Sequence, residues 1–161
     1  MNKGLILGRF QPFHLGHLAL IKNIINDHLE PLICIGSSQK GRSKENPFTK
    51  SERRKMIESV LESLKCNYEI YEIPDINNYD LYVSHLKNLV PSFDVVYSGN
   101  SLVKKLFTEA GYKVIVPDMI NRSVWEGSSI RQEILEGGDW EKYVPQSVVG
   151  IISDIDFEKL A

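Results

Sequence analysis

The chain has 161 residues, of which 42% are hydrophobic and 25% charged, a composition typical of one globular domain rather than a disordered segment. Nineteen basic residues against twenty-one acidic ones leave a formal net charge of −2. This argues against a protein that coats nucleic acid, since such proteins have a strong basic excess. No apolar run reaches the roughly 18 residues that a membrane helix needs, and the run after Lys3 is broken at Gly8, too soon for a signal peptide. We therefore expect a single cytoplasmic domain over residues 1–161 that binds neither nucleic acid nor membranes.

Short apolar runs alternate with segments of helical periodicity along the whole chain. Five apolar runs predict strands, at residues 4–8, 32–36, 68–73, 94–99 and 113–116. Apolar side chains at three- and four-residue spacing predict helices between the strands and through most of the last third. The first helix is expected to carry His28 on its inner face, and the third to carry Leu86 and Leu89 there. Thr49 and Glu52 have the spacing of a capping box and predict the start of the second helix.

This alternation predicts an α/β fold with right-handed crossovers, a parallel sheet covered by helices on both faces, and a helical C-terminal part. Ligands of such sheets bind outside the carboxyl ends of the strands. Chemistry is therefore expected in the segments that follow Gly8, Gly36, Ile73 and Gly99. The polar segment 37–48 is longer than most connections in compact domains, which favours a functional role for it.

Two histidines lie where the first strand gives way to the first helix. In the run G-R-F-Q-P-F-H-L-G-H, His14 and His17 are three residues apart, and Gly16 would let a ligand approach the backbone closely. A helix N-terminus attracts phosphate through its unpaired N–H groups and its dipole. A structural role, in which His14 only caps the helix, is the alternative. A zinc site is disfavoured because no further ligand cluster accompanies the pair, so we predict a phosphate site and no metal site.

The same run resembles the signature of the nucleotidyltransferases, which move a nucleotidyl group from a nucleoside triphosphate to a phosphate acceptor. Within them, the chain resembles the archaeal-type nicotinamide-nucleotide adenylyltransferases. The segments G-S-S-Q, N-P-F-T, E-R, Y-S-G-N and G-S-S-I-R follow in the expected order, so that the resemblance covers roughly residues 4–150. It implies a Rossmann-like, doubly wound parallel sheet of about five strands. It also implies adenylyl transfer from ATP to nicotinamide mononucleotide, which gives NAD and pyrophosphate. Mg²⁺ is expected to be carried on the ATP. The protein is expected to be a homo-oligomer, with a hexamer as the candidate assembly.

The helix start in the last third can be interpreted from its own residues. Ser128 is predicted to cap the helix, and Arg131 lies one turn in, where a guanidinium can fork onto phosphate oxygens. An ordinary cap beside a solvated arginine is the alternative. Glu126 is predicted to point away, because a carboxylate would repel phosphate.

Roles for individual residues follow from the resemblance. It implies that His14, His17 and Arg131 are catalytic, the histidines donating hydrogen bonds to the α- and β-phosphates. Arg131 and Ser128 would grip the distal phosphates. The implied ATP-binding residues are Gly8, Arg9, Phe10, Gly16, Asn100, Gly127 and Ser128. Among these, Asn100 is expected at the adenine and Arg9 at phosphate near the reaction centre.

The acceptor is expected in the segment after the third strand. By resemblance, the nicotinamide nucleotide would be bound by Asp75, Asn77, Asn78 and Tyr82. Tyr82 takes the place of a stacking aromatic that is usually tryptophan. Tyr79 stands where an amide is expected, and Asn77 or Asn78 would supply it. An ordinary polar turn is the alternative for this segment.

Basic residues in and after the long loop suggest a lid over the triphosphate. They are Lys40, Arg42, Lys44 and Arg53. The resemblance predicts an arginine at the position of Glu45, and Arg42 or Lys44 would replace it. A loop whose charges are merely solvated is the alternative.

Two further functions are compatible with the sequence. One keeps the ATP site and changes the acceptor to nicotinate mononucleotide, phosphopantetheine or FMN. The other is a nucleotide-binding module without catalysis. A dehydrogenase is disfavoured, because no G-x-G-x-x-G follows the first strand.

Overall fold

The computed structural model describes residues 2–116 and 127–159, and its centre is a five-stranded parallel sheet. The strands are β1 (Lys3–Gly8), β2 (Glu30–Ile35), β3 (Glu69–Glu72), β4 (Val95–Tyr97) and β5 (Lys113–Ile115). They are ordered β3-β2-β1-β4-β5, and every adjacent pair is parallel. The strand order reverses between β1 and β4, which is where an open α/β sheet forms its ligand crevice.

Helices cover both faces of this sheet. They are α1 (Leu15–Asn26), α2 (Lys50–Leu64), α3 (Tyr82–Leu89), α4 (Ser101–Glu109), α5 (Gly127–Glu136) and α6 (Gln146–Ser153). Short 3₁₀ turns lie at Tyr79–Leu81, Glu141–Tyr143 and Phe157–Lys159. In the part of the chain that is described, no helix has the length and apolar character needed to cross a bilayer. The predicted α/β architecture with a helical C-terminal part is confirmed.

The strands bury alternate residues on opposite faces, as the period of two along a strand requires. Ile6 and Ile33 face the core built with α1, α2, α5 and α6. Leu5 and Leu32 face a second core built with α3 and α4. Both cores contain fully buried aliphatic side chains. Since helices cover both faces of the sheet, nearly every residue of β1 and β2 is apolar, and their sequences are continuous apolar runs.

Helix α1 is held tightly against the centre of the sheet. A Cβ atom on Gly4 would lie 2.8 Å from Ile24 Cγ2 and 2.9 Å from Tyr97 Cε1, so only glycine allows this approach. The Tyr97 hydroxyl donates to Asp27 Oδ2 at 2.6 Å, just after the helix ends. These contacts fix α1, and with it the position of its N-terminus, relative to β1 and β4.

Two predictions about helix faces are wrong. Helix α1 ends at Asn26, and His28 is exposed at φ 61. The His28 N–H donates to the Ile25 carbonyl and the Leu29 N–H to the Ile24 carbonyl, which is a Schellman ending with a left-handed residue. Leu86 is fully buried, but Leu89, the last residue of the short helix α3, is 42% exposed.

Candidate active site

A cavity of about 310 Å³ opens at the carboxyl ends of β1 and β4. Most of its lining comes from three segments: the loop from β1 into α1, the link from β4 to α4, and the start of α5. The polar and glycine residues among its lining are Gly8, Arg9, Gln11, His14, Gly16, His17, Ser98, Gly99, Asn100, Gly127 and Arg131. The structure therefore brings the histidine pair and Arg131 to one cavity, although they are far apart in the sequence.

The two histidines cap helix α1 reciprocally. His14 is the N-cap residue, and its Nδ1 accepts the Gly16 N–H at 3.1 Å. His17 Nδ1 accepts the His14 N–H at the same distance. The imidazole rings stack with centroids 3.7 Å apart. Capping and a functional role are thus not alternatives here, because the cap is what fixes both rings in the cavity.

The hydrogen bonds define the protonation of both rings. Since each Nδ1 accepts an N–H, the ring proton is on Nε2, and the opposite side of each ring can donate to a ligand. Burial, with the positive charge of Arg131 as a smaller cause, lowers the pKa of His14 to about 4. Burial, followed by the influence of His14, holds the pKa of His17 well below its usual range. At neutral pH both side chains are neutral hydrogen-bond donors.

Replacing His14 by asparagine is expected to flatten the pH dependence of stability. His14 has a lower pKa in the native state than in the unfolded chain, so protons bind the unfolded state preferentially and stability falls as the pH falls from about 6.5 towards 4. This loss amounts to about 2 kcal/mol between pH 7 and pH 5. Asparagine does not titrate but can accept the Gly16 N–H as an N-cap. Urea unfolding at both pH values measures the difference, and an equal pH dependence in the two proteins would contradict the assignment.

Helix α5 brings Arg131 into the cavity. Its Nη1 donates to the Gln11 carbonyl at 2.9 Å. A Cβ atom on Gly127 would lie 2.9 Å from the same nitrogen, so the small residue leaves room for the guanidinium. The prediction that Ser128 caps the helix is wrong, because Ser128 is the second residue of α5 and is exposed. Glu126, predicted to point away, lies outside the described residues.

A second cavity, of about 630 Å³, adjoins the first and shares Arg131 with it. Ser128 lies here, with Lys44 and Glu45 of the long loop on its rim. Arg131 therefore stands between the histidine-lined cavity and a larger opening beside the loop. This places Ser128 and Lys44 at the distal side of Arg131, away from the imidazoles.

Two other predicted ATP-binding residues are partly used by the fold. Asn100 is the N-cap of α4, and its Oδ1 accepts the N–H groups of Leu102 and Val103 at 2.9 and 3.1 Å. Because the oxygen is used in this cap, a ligand contact of Asn100 would involve its amide nitrogen. Arg9 is exposed, and its Nη1 donates to Asn46 Oδ1 at 3.4 Å, which links the first loop to the long one.

The residues predicted to bind the acceptor lie on the far side of β2. Asp75, Asn77, Asn78 and Tyr82 follow β3, the edge strand, and are not among the described lining of the 310 Å³ cavity. Ser37 Oγ donates to Asp75 Oδ1 at 2.9 Å, which joins this segment to the loop after β2. Asn78 Oδ1 accepts the Asp80 N–H and caps a 3₁₀ turn. Burial raises the pKa of Tyr82 to about 12.

The lid hypothesis is wrong for Arg53. Its side chain is fully buried, and its guanidinium donates to backbone carbonyls instead of facing a ligand. The accepting carbonyls are those of Arg9, Gly36, Ser37, Ser38, Lys40 and Thr49. Arg42 is also occupied, since its two terminal nitrogens donate to the Glu52 carboxylate at 2.8 and 2.6 Å. Lys40 pairs with Asp75 at 3.8 Å, and Lys44 lines the second cavity together with the carboxylates of Glu45, Glu136 and Glu158.

Gln11 is a functional residue for which sequence reasoning predicted no role. Its amide nitrogen donates to the Phe48 carbonyl and its amide oxygen accepts the Phe48 N–H, each at 2.8 Å. The side chain is 2% exposed. Gln11 is flanked by Phe10 and Pro12, and a buried amide between two apolar residues is the one signal that could have singled it out.

The sequence of this chain matches a known protein family and is similar to several named proteins. The family model described as cytidylyltransferase-like matches residues 5–133. A nicotinamide-nucleotide adenylyltransferase of Archaeoglobus fulgidus is 47% identical over 160 residues, which cover 96% of this chain and 92% of that protein. The corresponding protein of Thermoplasma volcanium is 46% identical over 156 residues, with 96% and 88% covered.

Solved structures share the fold at lower sequence identity. A bifunctional NMN adenylyltransferase/ADP ribose pyrophosphatase from Francisella tularensis, complexed with AMP and Mn ion, superposes with a TM-score of 0.68 at 22% identity. The match covers 96% of this chain and 53% of the bifunctional one. This chain thus spans about half of that protein, and the likeness concerns the fold.

Proposed function

The chain belongs to the cytidylyltransferase-like family, and we infer from this that it is an enzyme that transfers the adenylyl group of ATP to nicotinamide mononucleotide. The products are NAD and pyrophosphate. Two relatives that carry the name of this activity match nearly the whole chain. The observation in the molecule that supports it best is the cavity that joins two neutral imidazole donors with Arg131 at the switch point of the sheet.

The reaction we propose is an in-line displacement at the α-phosphorus of ATP. A phosphate oxygen of the mononucleotide forms the new P–O bond, and the bond from the α-phosphorus to the bridging oxygen breaks as pyrophosphate leaves. A phosphate monoester is mostly dianionic at neutral pH, so no general base has to activate it. Catalysis then depends on positioning and on donors that meet the developing charge. The Nε2–H groups of His14 and His17 would be these donors at the α- and β-phosphates.

The remaining ATP contacts follow from the position of each group. Arg131 would hold the β- and γ-phosphates, with Ser128 on its distal side. Arg9 would contact phosphate near the reaction centre, and the Asn100 amide nitrogen the adenine. Gly8, Phe10 and Gly16 would bring backbone close to the nucleotide. Mg²⁺ would enter as part of the ATP substrate, since it keeps most of its waters and binds phosphate oxygens readily.

The acceptor would lie above the carboxyl end of β2, between the cavity and the segment after β3. Tyr82 would stack on the nicotinamide ring, and Asn77 or Asn78 would bind its carboxamide. Asp75, tied to Ser37, would shape the same surface. The homo-oligomeric state, the cytoplasmic location and the extent of the single domain over residues 1–161 stay predictions.

An acceptor panel tests the function. The protein is incubated with ATP and Mg²⁺, and separately with nicotinamide mononucleotide, nicotinate mononucleotide, phosphopantetheine or FMN, and the products are identified by mass. We expect NAD and pyrophosphate with nicotinamide mononucleotide. Product with another acceptor alone would assign a different substrate, and no pyrophosphate with any acceptor would indicate a binding module without catalysis.

A further inference from the structure

Gln11 is anchored to the long loop by its side chain. The amide makes two hydrogen bonds of 2.8 Å with the backbone of Phe48, in opposite directions. A rotation of the amide would leave buried donors and acceptors without partners, which is costly. The Phe48 side chain is itself fully buried. The anchor is therefore rigid, and it holds Gln11 in one orientation.

The backbone of the same residue receives Arg131. The Gln11 carbonyl accepts a hydrogen bond of 2.9 Å from Arg131 Nη1, across 120 residues of sequence. A Cβ on Gly127 would lie 3.8 Å from this carbonyl oxygen and 2.9 Å from the guanidinium nitrogen. The guanidinium is thus seated between Gly127 and Gln11, at the edge of the cavity that holds the imidazoles.

We propose that Gln11 is a positioning residue for adenylyl transfer, which fixes Arg131 relative to His14 and His17 through its anchor on Phe48. This inference rests on the proposed function. The Gln11 amide oxygen and one amide N–H are engaged with Phe48, and the Gln11 carbonyl accepts from Arg131, which connects the anchor to the catalytic group. Charges stabilise a transition state when they are held in place beforehand, and a displacement of about 1 Å can lower a rate about a hundredfold.

A double-mutant cycle tests this role. Methionine has the length of glutamine but makes no hydrogen bonds to Phe48. Gln11→Met is expected to lower kcat at saturating ATP about tenfold or more in the native background. In an Arg131→Ala background the same change is expected to lower kcat less than about twofold, because the group it positions is gone. Equal proportional losses in both backgrounds, or an unchanged kcat in Gln11→Met alone, would overturn the proposal.

Further variants separate positioning from a general loss of structure. Gln146→Met makes the same chemical change at the exposed start of α6 and is expected to leave kcat unchanged. If the methionine variant does not fold, Gln11→Asn replaces it in the cycle, and the same criterion applies. Asparagine is too short to reach both the N–H and the carbonyl of Phe48. An unaltered protein that makes no NAD would reject the proposed function, whereas an active protein with an additive cycle would reject only the role of Gln11.

Discussion

His17→Ala is expected to lower kcat about a hundredfold, since removing one preorganised donor from a site of developing negative charge costs about 3 kcal/mol of barrier. The sequence by itself suggests that folding would be little affected. The structure changes this, because His17 Nδ1 accepts the His14 N–H, and losing a cap costs roughly 1 kcal/mol of stability. Steady-state kinetics at saturating ATP and mononucleotide, with urea unfolding of the same preparations, measure the two effects separately.

His17→Asn isolates the catalytic part of that effect. The asparagine Oδ1 is as many bonds from Cα as the histidine Nδ1, so it can accept the His14 N–H, but it has no atom at the position of Nε2. We expect the stability to recover and kcat to stay low. His28→Asn, the same change at an exposed residue, is expected to leave kcat unchanged. A normal kcat in both His17 variants would refute the donor role, and a normal kcat in His17→Asn alone would reduce His17 to a cap.

Arg53→Met is expected to lower the free energy of unfolding by at least about 3 kcal/mol, because removing a buried hydrogen-bonded charge leaves its partners unpaired. Arg53 is fully buried, and six backbone carbonyls accept from its guanidinium. These carbonyls belong to the segments after β1 and β2 and to the start of α2. The variant should melt about 10 °C lower, as expected for a chain of this length.

Its neighbour Arg54 provides the matched control. Arg54 is partly exposed; it pairs with Glu72 at 3.4 Å and donates to the Ile70 carbonyl at 3.3 Å. Such pairs contribute about 0–1 kcal/mol, so Arg54→Met should be only slightly less stable than the unaltered protein. Burial lowers the pKa of Arg53 to about 10, which leaves it charged at neutral pH. Equal melting temperatures for the two variants would show that the buried guanidinium has no structural role.

The order of strands and helices, and the covering of both faces of the sheet by helices, could be predicted from the sequence. The continuous apolar run at residues 4–8 and the helical spacing of residues 56–64 are local properties, which few tertiary contacts override. The capping box of Thr49 and Glu52 is confirmed for the same reason, since its hydrogen bonds span only three residues. The fold class and the edge of the sheet where ligands bind follow from this order.

Helix ends and exposure were predicted less well. Ser128 has the type of side chain that caps helices, yet α5 begins one residue before it. Leu89 continues the apolar spacing of α3, yet it is the last residue of that helix and faces solvent. Both outcomes depend on how each helix meets its neighbours, and spacing alone does not contain that information.

The sequence by itself determined that the paired histidines start a helix after a buried strand, because residue type and periodicity act within a few positions. Only the tertiary structure decided what Arg53 and Gln11 do. Arg53 donates hydrogen bonds to backbone carbonyls of several segments, and Gln11 connects Phe48 with Arg131. Their partners are mostly main-chain groups, which every residue possesses. The residue types and spacings around them do not indicate these roles, which arise only when folding brings distant segments to the same end of the sheet.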